Sequence, residues 1–307
     1  LIRFVIFTNG KYIMTGGLHI MKKNIRHFFL LTALAAGTIH IANRFIDMTA
    51  DIKNILKSED GTFYDWKNGK IYYTKRGTGT PVLLIHDLNP ISSSYEWCKV
   101  IRKLEKKHTV YTIDLLGCGR SDKPYLTYTN YLYVQLITDF VNNVIGEKTD
   151  VIVSNESISF TILAANMNKK LFNSIMCINP PSLKDFHITT DKYASFKKTL
   201  LELPVIGTFI YNLRVYYEAA HMNGSHGKYL MASMDANYTK NSIEHVLNKL
   251  EIPLYIVVSR NTKNAVAIAD SYCKNANSEI IYLSNCKKYP HLEIPDKIIE
   301  TVDMFLK

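Results

Sequence analysis

Short strand-like runs recur along this chain at Pro81 to Ile85, Val110 to Ile113, Asp150 to Val153, Ser174 to Ile178, Leu254 to Val258 and Glu279 to Leu283. Runs rich in Val, Ile and Leu without polar alternation are buried on both faces, and strands alternating with helices build a mostly parallel sheet covered on both sides. Ser94 reads as the cap of a helix running through Lys107, with Cys98, Ile101 and Leu104 spaced toward a core. Further helices are read at Tyr131 to Ile145, Ile158 to Asn168, Val266 to Asn275 and Pro295 to Leu306. The start differs: Phe63 to Lys67 and Lys70 to Thr74 flank Asn68-Gly69, a hairpin signal because both turn positions need positive φ. The rhythm breaks from about Pro180 to Leu250, where helical stretches at Ala194 to Leu203 and Phe209 to Ala220 read as a cap over the carboxyl ends of the strands. The fold class is therefore α/β: a mostly parallel central sheet with helices on both faces, an antiparallel hairpin at the start and a helical cap insertion.

A chain of 307 residues, 47% hydrophobic with 20 Tyr and 13 Phe, is long enough and apolar enough for one large core. The net charge is +10, and half of it falls in the first 50 residues. The remaining excess gathers into no stripe, which argues against a nucleic-acid partner. Met21-Lys22-Lys23-Asn24-Ile25-Arg26 precedes an apolar run from Phe28 to Ile41, a pattern of a membrane anchor or a signal peptide over residues 21–46. Ala33-Leu34-Ala35 also reads as a cleavage site, and a buried or surface helix is the third alternative. With the basic cluster retained inside, the main domain, residues 60–307, faces outward. Residues 1–20, ahead of the start-like Met21, are set aside as upstream sequence. The five cysteines form no C-x-x-C pair, which is neither a zinc pattern nor a disulfide framework. No phosphate-binding loop occurs, and Asp122 stands where a dinucleotide fingerprint needs its third glycine. No cofactor or metal is expected, and His221 and His226 read as part of a polar cap loop. Oligomeric state leaves no signal.

The run Val151-Ile152-Val153-Ser154-Asn155-Glu156-Ser157-Ile158-Ser159-Phe160 passes from strand to helix through small polar residues, the layout of a nucleophile elbow with Ser157 as its serine. Asn155 and Ser159 stand where G-x-S-x-G has glycines; Asn tolerates a left-handed backbone and Ser is small, so the turn stays buildable. Three other motifs lie around it in order: Leu84-Ile85-His86-Asp87-Leu88, Asp114-Leu115-Leu116-Gly117-Cys118-Gly119-Arg120-Ser121-Asp122-Lys123-Pro124, and Tyr289-Pro290-His291-Leu292-Glu293-Ile294-Pro295. Together they resemble the α/β-hydrolase fold family, over residues 63–307, with the D-x-x-G-x-G-x-S-x-x-P loop as the most specific match.

The resemblance implies acyl-bond hydrolysis, with Ser157 as nucleophile and the backbone N–H groups of Leu88 and Ile158 as oxyanion donors. Its partners are substituted. Asn261 stands at the position of the family's acid, and Lys288 at that of its histidine. Three readings stay open: Lys288 as a base with a pKa lowered by burial, His291 as a substitute through a loop shift, or a decayed triad on a scaffold that binds without turnover. His86, Asp87, Glu156 and His291 are supporting candidates. The expected partners are a small-molecule acyl substrate or ligand and the membrane.

Overall fold

The computed structural model describes residues 16–53, 56, 61–187, 192–215, 218–221, 224–274 and 277–306. In chain order the helix α1 (Gly16–Lys53) leads to β1 (Gly61–Trp66), β2 (Gly69–Arg76), β3 (Thr80–Ile85), α2 (Cys98–Leu104), β4 (His108–Ile113), α3 (Asn130–Phe140), β5 (Thr149–Ser154), α4 (Ile158–Met167) and β6 (Phe172–Ile178). Helices α5 (Ala194–Glu202), α6 (Ile206–Arg214), α7 (Lys228–Asp235) and α8 (Glu244–Leu247) follow, then β7 (Leu254–Ser259), α9 (Ala265–Tyr272), β8 (Ser278–Leu283), α10 (Pro290–Glu293) and α11 (Pro295–Phe305).

The sheet has the order β1-β2-β4-β3-β5-β6-β7-β8, antiparallel from β1 through β4 and parallel from β4 onward. Pleating divides each central strand between two layers. Leu83 and Ile85 of β3 join the core beneath α3, α4 and α9, while Val82 and Leu84 join the core beneath α2 and α11. That two-sided burial explains why these strands read as continuous apolar runs.

Three local expectations are corrected. The hairpin pairs Trp66 with Gly69, so its loop residues are Lys67 and Asn68 rather than Asn68 and Gly69. Gly69, at φ 142°, serves a close approach instead: a Cβ there would lie 2.9 Å from Cβ of Asp122, whose carboxylate accepts the Lys70 N–H at 2.7 Å. The helix expected from Ser94 through Lys107 is a single 3₁₀ turn, Ser94–Trp97, followed by α2, and the Ser94 N–H donates to Asp114 Oδ1 at 2.7 Å. The helix after β4 ends in a π turn, Val141–Ile145, closed by Gly146 at φ 76°.

Residues 1–15 of the segment set aside as upstream lie outside the described residues, while 16–20 belong to α1. Within α1, Asn24–Ala50 is apolar enough to cross a membrane, with mean hydropathy 1.4, and it could be an anchor or a signal sequence. Its carboxyl-terminal part is docked: Asn43 and Ala50 are buried, and Asn43 Nδ2 donates to the Val205 carbonyl at 3.2 Å.

Candidate active site

Strand β5 is buried along its whole length and ends at Ser154. The chain then turns sharply, and the residue on that corner is Asn155, at φ 47°, not Ser157. Asn adopts the left-handed region more readily than other residues with a Cβ, which is why the corner settles there. Ser157, two residues on, has helical angles (φ −67°, ψ −14°) and is fully buried. Its hydroxyl donates to the His86 carbonyl at 2.6 Å. Asn155 is 8% exposed, and its Nδ2 is a buried donor with no partner. The Ile158 N–H, expected at an oxyanion site, is taken by the Asn155 carbonyl.

The N–H directly after the corner belongs to Glu156, and it donates to Asp87 Oδ1 at 3.1 Å. Asp87 follows β3, is 1% exposed, and has its other oxygen 3.3 Å from Lys288 Nζ and 3.2 Å from the Tyr289 hydroxyl. Burial raises the Asp87 pKa, with Glu96 adding to the rise, and the Lys288 ammonium only partly offsets them. Glu156 is pushed up to about 7, by burial first and the Asp87 charge second. For Lys288, burial acts to lower the pKa, yet Asp87 and Tyr289 outweigh it and hold the group above the ordinary lysine value. The base reading required the opposite direction. Lys288 is a cation at neutral pH, and its partner is Asp87.

His86 ties this loop to the next. The Leu115 N–H donates to its Nε2 at 3.0 Å, so Nε2 carries no proton, and Nδ1 donates to the Asp87 carbonyl at 2.7 Å. Both ring nitrogens are thereby committed. His291 is fully buried, stacks on Trp97 at 4.3 Å between ring centroids, and has Nε2 3.0 Å from Glu96 Oε1. Burial works to raise the Glu96 pKa, but His291 beside it, with help from the Ser154 hydroxyl, brings it below the ordinary value. Leu88 is buried in the core.

Asn261 is exposed just past β7, and its backbone N–H reaches Ser259 Oγ at 3.3 Å. The residue that links β7 to the Lys288 loop is Asn179 instead. At φ 46° it accepts the Ser259 N–H at 2.7 Å and donates to the carbonyls of Lys287 and Lys288 at 2.6 and 3.0 Å. No sequence motif marks Asn179 or Glu96. Asn155 carried one signal, its tolerance of a left-handed backbone.

The motif loop after β4, joined to His86 through the Leu115 N–H, holds a second polar network. Asp114 accepts the N–H groups of Ser94 and Arg120 at 2.7 and 2.8 Å and Arg120 Nε at 3.0 Å. Burial opposes its ionisation, but the Arg120 guanidinium dominates the remaining contacts and its pKa is lowered. In the cap, His221 is held by the Val215 carbonyl at 2.9 Å and Ser225 Oγ at 3.2 Å.

A mostly parallel eight-stranded sheet with an antiparallel start, covered by helices and turned sharply between its central strand and α4, defines the α/β-hydrolase fold. Comparison with known proteins agrees: residues 80–154 match the α/β hydrolase fold family. A haloalkane dehalogenase of Agrobacterium fabrum is 37% identical over 60 residues, 20% of this chain and 19% of that protein. A 2-hydroxy-6-oxo-6-(2'-aminophenyl)hexa-2,4-dienoic acid hydrolase of Metapseudomonas resinovorans is 28% identical over 113 residues, 36% of this chain and 39% of that protein. The chain thus spans well under half the length of these curated relatives. Among solved structures, a serine hydrolase involved in carbazole degradation (CarC enzyme) superposes with a TM-score of 0.65 at 18% identity, covering 80% of this chain and 98% of that one. A membrane phospholipase A, described as a bacterial virulence factor, superposes with a TM-score of 0.61 at 18% identity, covering 93% and 98%. The chain is an α/β-hydrolase-like protein whose hydrolase relatives are distant.

Proposed function

We propose that this protein is a non-catalytic member of the α/β-hydrolase fold, tethered to a membrane by α1, with its main domain on the outer side, and serving as a binding or scaffold protein for a small molecule. The carrying observation is the Asp87 carboxylate on the Glu156 N–H. In a working site of this kind the backbone donor beside the corner is aimed at the charge that develops on the substrate oxygen. A carboxylate already seated on that donor repels a second anion at the same place. Lys288, where a base would act, neutralises this internal acid instead. The corner side chain is an amide, which is not a nucleophile.

The competing reading is hydrolysis of an acyl bond by Ser157, with Leu88 and Ile158 as oxyanion donors and Lys288 and Asn261 as degraded partners. The hydrolase names of the relatives favour it. It requires the Ser157 hydroxyl to leave the His86 carbonyl and the Ile158 N–H to leave Asn155.

A fluorophosphonate probe applied to the full-length protein separates the two. No labelling of folded protein is expected. Covalent labelling that Ser157→Ala abolishes overturns the proposal. Rebuilding offers the complement: Asn155→Ser with Asp87→Gly and Lys288→His is expected to gain ester hydrolysis that the parent lacks.

A further inference from the structure

The helix α1 is bare along residues 24–42, apart from the half-buried Ile39, over about 28 Å at 1.5 Å per residue. It meets protein abruptly at Asn43. Asn212 Nδ2 donates to Asn43 Oδ1 at 3.0 Å, and Ser225 Oγ donates to Asp47 Oδ1 at 2.6 Å. This polar contact belongs outside hydrocarbon, so the edge of a bilayer crossed by α1 falls close to Asn43. The cap residue bonded there is Val205, in the turn between α5 and α6.

The segments on both sides of that turn expose apolar side chains. Ile206, Phe209 and Leu213 of α6 are 48%, 38% and 54% exposed, at a spacing that puts them on one side, while Gly207 and Tyr211 on the opposite side are buried. Beside it, Phe196 of α5 and the residues at that helix's two ends, Tyr193 and Leu203, are 66%, 68% and 39% exposed. Single exposed apolar residues are ordinary on soluble surfaces, but an ordered stripe on one helix with three more exposed apolar residues on the neighbouring segment is not.

We propose that α5 and α6 lie in the headgroup region of the same bilayer that α1 crosses, so that the cap is seated on the lipid surface. The proposal rests on α1 being an uncleaved anchor. Continuity carries it: the α6 stripe and the exposed apolar residues of the α5 segment flank the turn hydrogen-bonded to α1 where the bare segment ends. Amphipathic helices of this kind sink their apolar face into the boundary between headgroups and acyl chains. The exposed Arg44, one residue past Asn43, is placed to reach lipid phosphates.

Tryptophan fluorescence of the full-length protein in phosphatidylcholine vesicles with acyl-brominated lipid tests this. The native Trp66 and Trp97 are buried and set the background. Leu34→Trp reports on the anchor, Phe209→Trp on the cap, and Met304→Trp, 72% exposed on α11, is the control. Loss of most of the added emission for Leu34→Trp and Phe209→Trp, with none for Met304→Trp, is the expected result. Quenching at Leu34→Trp alone overturns the docking and leaves the anchor standing. No quenching at Leu34→Trp removes the anchor and this proposal with it. A blue shift of Phe209→Trp without bromine quenching indicates burial against a second copy and overturns lipid docking.

Discussion

Asp87 and Asp114 follow neighbouring strands of one sheet, β3 and β4, and both are buried, yet their surroundings push them in opposite directions. Asp114 receives donors at 2.7, 2.8 and 3.0 Å, including a guanidinium, and its pKa falls. The contacts of Asp87 are longer, at 3.1, 3.2 and 3.3 Å, and its cation, Lys288, is 57% exposed. Burial therefore wins there, and the Asp87 pKa rises. Burial alone does not tell a structural carboxylate from one held under electrostatic strain. The number, length and charge of its donors do.

The sharpest way to break this comparison is Asp114→Ala. It takes the carboxylate from the Arg120 guanidinium, whose side chain is only 15% exposed and is left with neutral acceptors, the Leu56 carbonyl and the Ser94 hydroxyl, and it leaves the Ser94 and Arg120 N–H groups unsatisfied. Removing one partner of such a pair costs about 3–5 kcal/mol. Urea unfolding at pH 7 is expected to show a loss in that range. Because the folded pKa of Asp114 is depressed, its contribution is present above the ordinary carboxylate value and is lost as pH falls through the folded one. The deficit should therefore shrink in acid. A loss comparable to that of a surface substitution would mean that the network is ornamental.

Glu156→Gln tests the opposite case. Glu156 is raised from 4.5 to about 7, so the charged form is disfavoured in the folded state. Stability from this group is full below its ordinary pKa and is lost as pH rises through about 7. A shift of that size, discounted for partial solvent access, corresponds to about 1–2 kcal/mol. The parent is thus expected to weaken between pH 5 and pH 8 by more than the variant. Glu156→Gln should be the more stable protein at pH 8 and equal to it near pH 5. Equal slopes would show that Asp87 and burial exert no strain on Glu156.

How far the sequence reached follows the same division between packing and polar detail. The strands were legible because two-sided burial writes continuous runs such as Val82-Leu83-Leu84-Ile85, and α1 because Phe28 to Ile41 is an apolar run with few polar breaks. Backbone detail in the site was less legible. Ser154, Asn155, Glu156 and Ser157 are all short or polar, and a corner displaced by two residues leaves the apolar pattern of β5 and α4 untouched. Only the positive φ at Asn155 separates the alternatives. The pairing of Asp87 with Lys288 across 201 positions had no local signature. Nor did the bridge from Asn179 to the Lys288 loop, since a single buried amide produces no periodicity.

The floor of the scale is set by a carboxylate held by a cation in water. Lys107 follows α2 and lies 2.8 Å from Asp303 on α11, with the two side chains 63% and 37% exposed. The separation is shorter than that of Lys288 and Asp87, so distance alone ranks this pair above the one whose acid is buried. Solvent screening and the entropy of ordering a lysine side chain reverse that ranking. Lys107→Ala is expected to change unfolding free energy by no more than about 0.5 kcal/mol, and the difference should vanish in molar salt. A loss of about 2 kcal/mol or more, resistant to salt, would show that α2 and α11 depend on this pair and not on the Val100, Leu104, Ile298 and Val302 packing between them. It would also remove the reason for treating burial as what separates Asp87 and Asp114 from the rest of the acids.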